Sequence, residues 1–171
     1  MSFTGIGRQH GDRQQAYAAI AAQFGGLLAG ERDPWANAAN CAALLYTALP
    51  DLNWAGFYFL RGGELVVGPF QGAPACVRIA LGRGVCGTAA ASRQTLVVAD
   101  VHAFPGHIPC DAASNSEIVV PLLDGGGLLG VLDLDSPRHG RFDAADARGL
   151  ERVAATLAAA CDWKLAGIDG R

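Results

Sequence analysis

Asn53-Trp-Ala-Gly-Phe-Tyr-Phe-Leu-Arg-Gly-Gly-Glu-Leu-Val-Val-Gly68 decides the fold class. Residues 53–60 are rich in aromatics, which suit a pleated and partly buried surface. Gly62-Gly63 then separates them from the apolar run 64–68, and a two-glycine step between two such runs predicts a β-hairpin. Working outward, the same signature recurs where Ile118–Leu123 and Leu128–Leu134 flank Asp124-Gly125-Gly126-Gly127. Ala75–Ala80 and the β-branched stretch Thr95–Ala99 add short extended segments, and Gly84–Ser92 between them predicts a short helix.

Both ends of the chain change period from two to between three and four. Tyr17, Ile20, Phe24 and Leu27 recur at helical steps and stop near Gly30. Asp33 and Pro34 are start signals for a second helix with the stripe Trp35, Ala38, Ala42, Leu45 and Leu49, ended by Pro50. A last helix opens at Phe142-Asp143, with Asp146 three residues on and Leu150, Val153, Leu157 and Cys161 on one side. Helices, then hairpins, then a closing helix predict an α+β domain. Its antiparallel sheet has about six strands, with N-terminal helices and a C-terminal helix packed on it. The expected limits are an N-terminal tail 1–15, one domain 16–165 and a C-terminal tail 166–171.

A chain of 171 residues, 51% hydrophobic and 17% charged, is long enough for one ordinary core. Its net charge of -3 gives no electrostatic reason to expect a nucleic-acid partner. No apolar run reaches the ~20 residues of a membrane span, and the polar N-terminus lacks the apolar core of a secretory signal. A reducing cytoplasm is therefore the expected compartment. There, the five cysteines read as core thiols, metal ligands or redox groups, rather than a structural disulfide framework.

Cys161 lies on the stripe of the last helix and Cys41 beside that of the second, so both are expected in the core. Cys76, Cys86 and Cys110 belong to the middle of the chain. Cys86 opens a helix close to Arg83, two features that favour a thiolate; its alternative is a small residue in a tight turn. Cys110 stands in the aperiodic stretch Asp100–Ser116 with His107 nearby, and an idle exposed thiol is an oxidation liability. A zinc site built from His102, His107, Cys76, Cys86 and Cys110 lacks any Cys-x-x-Cys pair, so no metal site is expected.

Trp54 and Tyr58 are four apart and project to one face of a strand, with open space expected at Gly56 between them. Asp133 and Asp135 likewise share a face, and Glu117 begins the strand expected to pair with theirs. Two aromatics and three carboxylates around one cavity suit a small ammonium-bearing ligand, and a solvated strand end is the competing explanation.

The segments NWAGFYFL, GPFQG, ACVRI, GRGVCGTA, DVHAFPGHIPCDAASNSEIVVPL and GVLDLDS resemble the free methionine-(R)-sulfoxide reductases, single-domain enzymes of GAF fold. The similarity runs from about Asn37 to the last helix; Cys41 and Cys161 are not part of it, and the first ~15 residues lie outside it. The resemblance implies that Cys110 is the catalytic thiol, attacking the sulfur of free methionine-(R)-sulfoxide and becoming a sulfenic acid. It implies Cys76 as principal resolving thiol, Cys86 as a second or alternative one, and thioredoxin as external reductant with no bound cofactor. It also implies that Trp54, Tyr58, Glu117, Asp133 and Asp135 line the substrate pocket, with Glu117 as the acid. A GAF ligand sensor without turnover and a zinc-stabilised domain remain the alternatives, and a homodimer is left open.

Overall fold

The structure is a computed structural model describing residues 12–108 and 111–168. Its helices are α1 (Arg13–Leu27), α2 (Pro34–Ala48), α3 (Gly84–Ser92) and α4 (Ala144–Ala160). The strands are β1 (Trp54–Arg61), β2 (Glu64–Gly72), β3 (Arg78–Ala80), β4 (Leu96–Val98), β5 (Ser116–Asp124) and β6 (Gly127–Ser136), with short 3₁₀ turns at Val101–Ala103 and Trp163–Ala166. All pairings are antiparallel, in the order β3-β2-β1-β6-β5-β4. The expected α+β sheet of about six strands is what forms.

Two glycine pairs close the hairpins. Gly62 and Gly63 have φ of 60° and 86°, and Gly125 and Gly126 have 53° and 85°. Both central residues in the left-handed region define the turn whose twist matches flanking strands. The second loop is thus only Gly125-Gly126, because Asp124 and Gly127 already pair. β2 extends four residues past the expected Gly68, to Gly72, through an irregularity opposite Phe57 that accommodates Pro69.

The period-two alternation sorts the central strands into two cores. Ala55, Phe57, Phe59, Ile118, Val120, Leu122, Leu132 and Leu134 face α1, α2 and α4 in one cluster. Trp54, Tyr58, Val119 and Val131 face the other way, toward α3, Leu65 and Ile79. Both faces of β1 and β6 are therefore buried, which explains why residues 54–60 read as a continuous apolar run.

α1 starts at Arg13, inside the expected tail 1–15, because Asp12 caps it and Arg13 reaches across to Asp143 and Asp146. Asp146, 1% exposed, also accepts from Tyr17 and Arg141 and completes a capping box with Asp143 at the start of α4. At the other end, Ile168 is buried in the helix-side core, inside the expected tail 166–171. The third strand is three residues rather than six. Cys76 therefore lies in the loop before β3, whose first contact is the Val67 N–H donating to Val77 carbonyl.

Candidate active site

The site forms on the α3 face of the sheet, and strand register alone assembles most of it. Trp54 pairs with Asp135, and Asp135 pairs with Glu117, so the three stand in one row across β1, β6 and β5. The next row on that face is Gly56, Asp133 and Val119. Neighbouring strands lie about 4.8 Å apart, so these side chains are within reach of one another. All five residues expected to bind ligand line one pocket, with about 520 Å³ of empty space counted to its open mouth. Cys86, His107, Asp111 and Ser114 share its wall.

The aromatic side is packed more tightly than expected. Trp54 stacks on Tyr58 with ring centroids 5.8 Å apart and on Phe70 at 5.3 Å. Its indole N–H donates to Ala73 carbonyl at 3.2 Å. The space at Gly56 is not open: a Cβ there would lie 2.3 Å from Phe70 Cβ and 2.7 Å from the Trp54 ring. Glycine is needed so that the indole can fold down over the strand.

The acidic side is buried. Glu117 and Asp133 are 6% and 5% exposed, and Asp133 Oδ1 is buried without a hydrogen-bond partner. Burial, then the Asp135 charge, pushes the Glu117 carboxyl well above its ordinary range. Asp133 is raised in the same way, by burial, then by Asp135 and Glu117. The Glu117 and Asp133 carboxyls lie within 4.8 Å of each other, so a proton they hold belongs to the pair. Asp135 is pushed up to about 7, chiefly by burial, with a hydrogen bond from Ser114 working against it and the Asp111 charge adding to it.

Cys86 corrects an expectation. It does sit in the first turn of α3 beside Arg83, yet its thiol is pushed up rather than down. Burial is the largest cause, followed by the charges of Asp133, Glu117 and Asp135. The exposed Arg83 side chain and a short helix cannot offset three buried carboxylates. Cys86 therefore persists as a thiol, donating to Glu117 Oε1 at 3.6 Å. Cys41 and Cys161 are buried free thiols in the opposite core, as expected, and Asn37 Nδ2 donates to Cys161 Sγ at 3.4 Å.

Cys76 is half-buried and disulfide-bonded, whereas Cys41, Cys86 and Cys161 are free. Cys110 lies outside the described residues. The polar segment after it is anchored rather than loose. Asp111 accepts from the Ala113 N–H at 2.9 Å, closing a tight turn. Asn53 Nδ2 donates to Asp111 Oδ2 and to Ser114 Oγ, both at 2.9 Å. Asn115 donates to Pro137 carbonyl and Ser116 to Arg138 carbonyl. Asn53, Asp111 and Ser114 escaped the sequence reading. Their signal was the polar residue placed directly before the aromatic run, facing a loop with Asx-turn chemistry.

Among the described residues, no histidine joins a metal set with Cys86. His102 Nε2 meets Asn115 Oδ1 at 3.1 Å, and burial, then His102, lowers the His107 pKa. No described helix is long and apolar enough to cross a membrane.

A family model for the GAF domain matches residues 13–161. The free methionine-R-sulfoxide reductase of Escherichia coli is 53% identical over 85% of this chain and 88% of that protein. Among solved structures, the Neisseria meningitidis free methionine-R-sulfoxide reductase in complex with its substrate is 43% identical with a TM-score of 0.87, covering 92% of this chain and 95% of that one. A Burkholderia vietnamiensis protein described as a candidate GAF sensor is 58% identical with a TM-score of 0.87, over 92% and 99%. A domain-wide family match, with sequence and fold likeness to these reductases across most of both chains, leaves one assignment: the chain belongs to the free methionine-R-sulfoxide reductases of the GAF-domain family.

Proposed function

We propose that this protein reduces free methionine-(R)-sulfoxide to methionine by thiol chemistry. The observation that carries the reading is the Trp54–Asp135–Glu117 row, with the unpartnered Asp133 oxygen beside it, in one pocket. A cavity with raised carboxyl groups at one end and stacked rings at the other matches a zwitterion with an apolar tail. Asp133 and Asp135 hold the ammonium, whose charge allows them to ionise. The Trp54 ring packs on the S-methyl group.

The Cys110 thiolate attacks sulfur and forms an S–S bond while the proton kept by Glu117 passes to the sulfoxide oxygen, which otherwise leaves poorly. The S–O bond breaks and releases hydroxide, which attacks the Cys110 sulfur and breaks the new S–S bond, so methionine departs and Cys110 is left as a sulfenic acid. The Cys76 thiol then displaces that oxygen as water and forms a Cys76–Cys110 disulfide. Thioredoxin, a dithiol reductant, returns both thiols and itself becomes oxidised. The disulfide state of Cys76 supports it as resolver over Cys86, whose thiol is free and held beneath Glu117. Such transient disulfides fit a reducing cytoplasm. The test is thioredoxin-coupled NADPH consumption with each epimer of free methionine sulfoxide. Turnover of the R epimer alone supports the reading; absence of turnover with R, alongside ligand-induced stabilisation by methionine, favours a sensor.

A further inference from the structure

Cys86, Glu117 and Asp133 come from α3, β5 and β6, and one donor atom of each lies within 4.8 Å of the other two. All three are more than nine-tenths buried, and Asp133 Oδ1 has an unused lone pair at the pocket wall. The Cys86 thiol donates to Glu117 Oε1, a contact that needs no ion. The set does, however, combine one soft and two hard donors within 4.8 Å of one another, and its sulfur–Glu117 pair has the spacing of a tetrahedral ion. Bonds of about 2.3 Å to sulfur and about 2.1 Å to oxygen place ligands roughly 3.5 Å apart, and Cys86 Sγ to Glu117 Oε1 is 3.6 Å.

We propose that the pocket floor binds a thiophilic divalent cation, Zn²⁺ or Cd²⁺, through Cys86 Sγ, Glu117 and Asp133, with the fourth position open to the pocket. The sulfur donor disfavours Mg²⁺ and Ca²⁺, which take oxygen ligands. Binding converts the Cys86 thiol to a thiolate and releases its proton, together with the proton shared by the two carboxyls, to solvent. The bound ion takes Asp133, which the proposed function gives to the substrate ammonium, and Glu117, which it gives to proton transfer, so the site is inhibitory rather than catalytic. That competitive part rests on the reductase reading; the metal site itself does not.

The probe is CdCl₂ titrated into the full chain with the Cys76 disulfide in place, following the thiolate-to-cadmium ultraviolet band. One equivalent is expected to bind, the band is expected to vanish in Cys86→Ser, and Asp133→Asn, which retains the sulfur, is expected to weaken binding at least ~10-fold. No saturable band, or an undiminished band in Cys86→Ser, overturns the proposal. If Cys86→Ser does not fold, an Asp133→Asn titration indistinguishable from the parent overturns it instead. Excess L-methionine, which carries the same ammonium, is expected to shift the cadmium midpoint upward more than L-alanine, an equal solution chelator. Methionine that stabilises the protein without shifting the midpoint overturns the shared-site claim. Methionine that fails to bind at all removes the reductase reading and leaves the cadmium band standing.

Discussion

Glu117 and Asp135 are register partners on β5 and β6, and both side chains enter the same pocket wall. Two carboxylates side by side in a buried site cannot both carry charge cheaply, so the folded protein holds protons there that an unfolded chain releases.

That relationship fixes the sign of a pH effect. Asp135 sits at about 7 in the folded state, against about 4 when exposed. Below pH ~4 both states are protonated and nothing is lost. As pH rises from about 4 to about 7, the unfolded chain ionises while the folded one keeps its proton, so stability falls; above 7 the loss stays constant. Asp143 acts oppositely. The upward effect of burial, the largest single one, is outweighed there by the Asp146 and Ala145 N–H groups and Arg13 together, so its contribution is lost only as pH falls below ~4. Urea midpoints are therefore expected to drop between pH 4.5 and 7.5, and to drop less in Asp135→Asn.

Glu117→Gln keeps the shape of the side chain but leaves Asp133 as the single acid of the pair. A positioned acid is typically worth 10²–10⁴-fold, so kcat is expected to fall by about 10²-fold or more. Because a buried titrating group is removed, thermal stability at pH 7.5 is expected to hold or rise. Coupled turnover and a melting curve on the same preparation check both halves.

Asn53→Ala removes the two hydrogen bonds that tie Asp111 and Ser114 to the start of β1. Leaving buried partners unsatisfied costs about 1–3 kcal/mol. The segment after Cys110 loses its anchor, so kcat/KM is expected to fall more than fluorescence-monitored methionine affinity does. Equal losses in both would make Asn53 a ligand contact instead.

Gly56→Ala places a methyl group against the Phe70 backbone, 2.8 Å from its Cα, as well as against the Trp54 ring. Overpacking of this kind costs about 1–3 kcal/mol, and here both the β2 backbone at Phe70 and the Trp54 ring must shift. Lower stability with a raised KM is the expected pair of outcomes, read by urea denaturation and steady-state kinetics.

What the sequence made legible follows from period and register. Gly62-Gly63 and Gly125-Gly126 announced both hairpins, and alternation placed Trp54, Tyr58, Asp133 and Asp135 on one face before any coordinates. Glu117 followed because the second hairpin fixes its partner. Three things were not legible. The Cys86 thiol depends on burial under carboxylates from distant strands, so local helix and Arg83 cues pointed the wrong way. The filled space at Gly56 depends on Phe70, which a bulge in β2 brings opposite. The anchoring role of Asn53 depends on a loop more than fifty residues away.

The central claim is that Cys110 performs the reduction and Cys76 only resolves it, and single-turnover release of methionine separates these steps. Prereduced Cys76→Ser, mixed with free methionine-(R)-sulfoxide and no reductant, is expected to release about one equivalent of methionine and then stop, while Cys110→Ser releases none. Methionine release by Cys110→Ser at the parent rate would contradict the assignment.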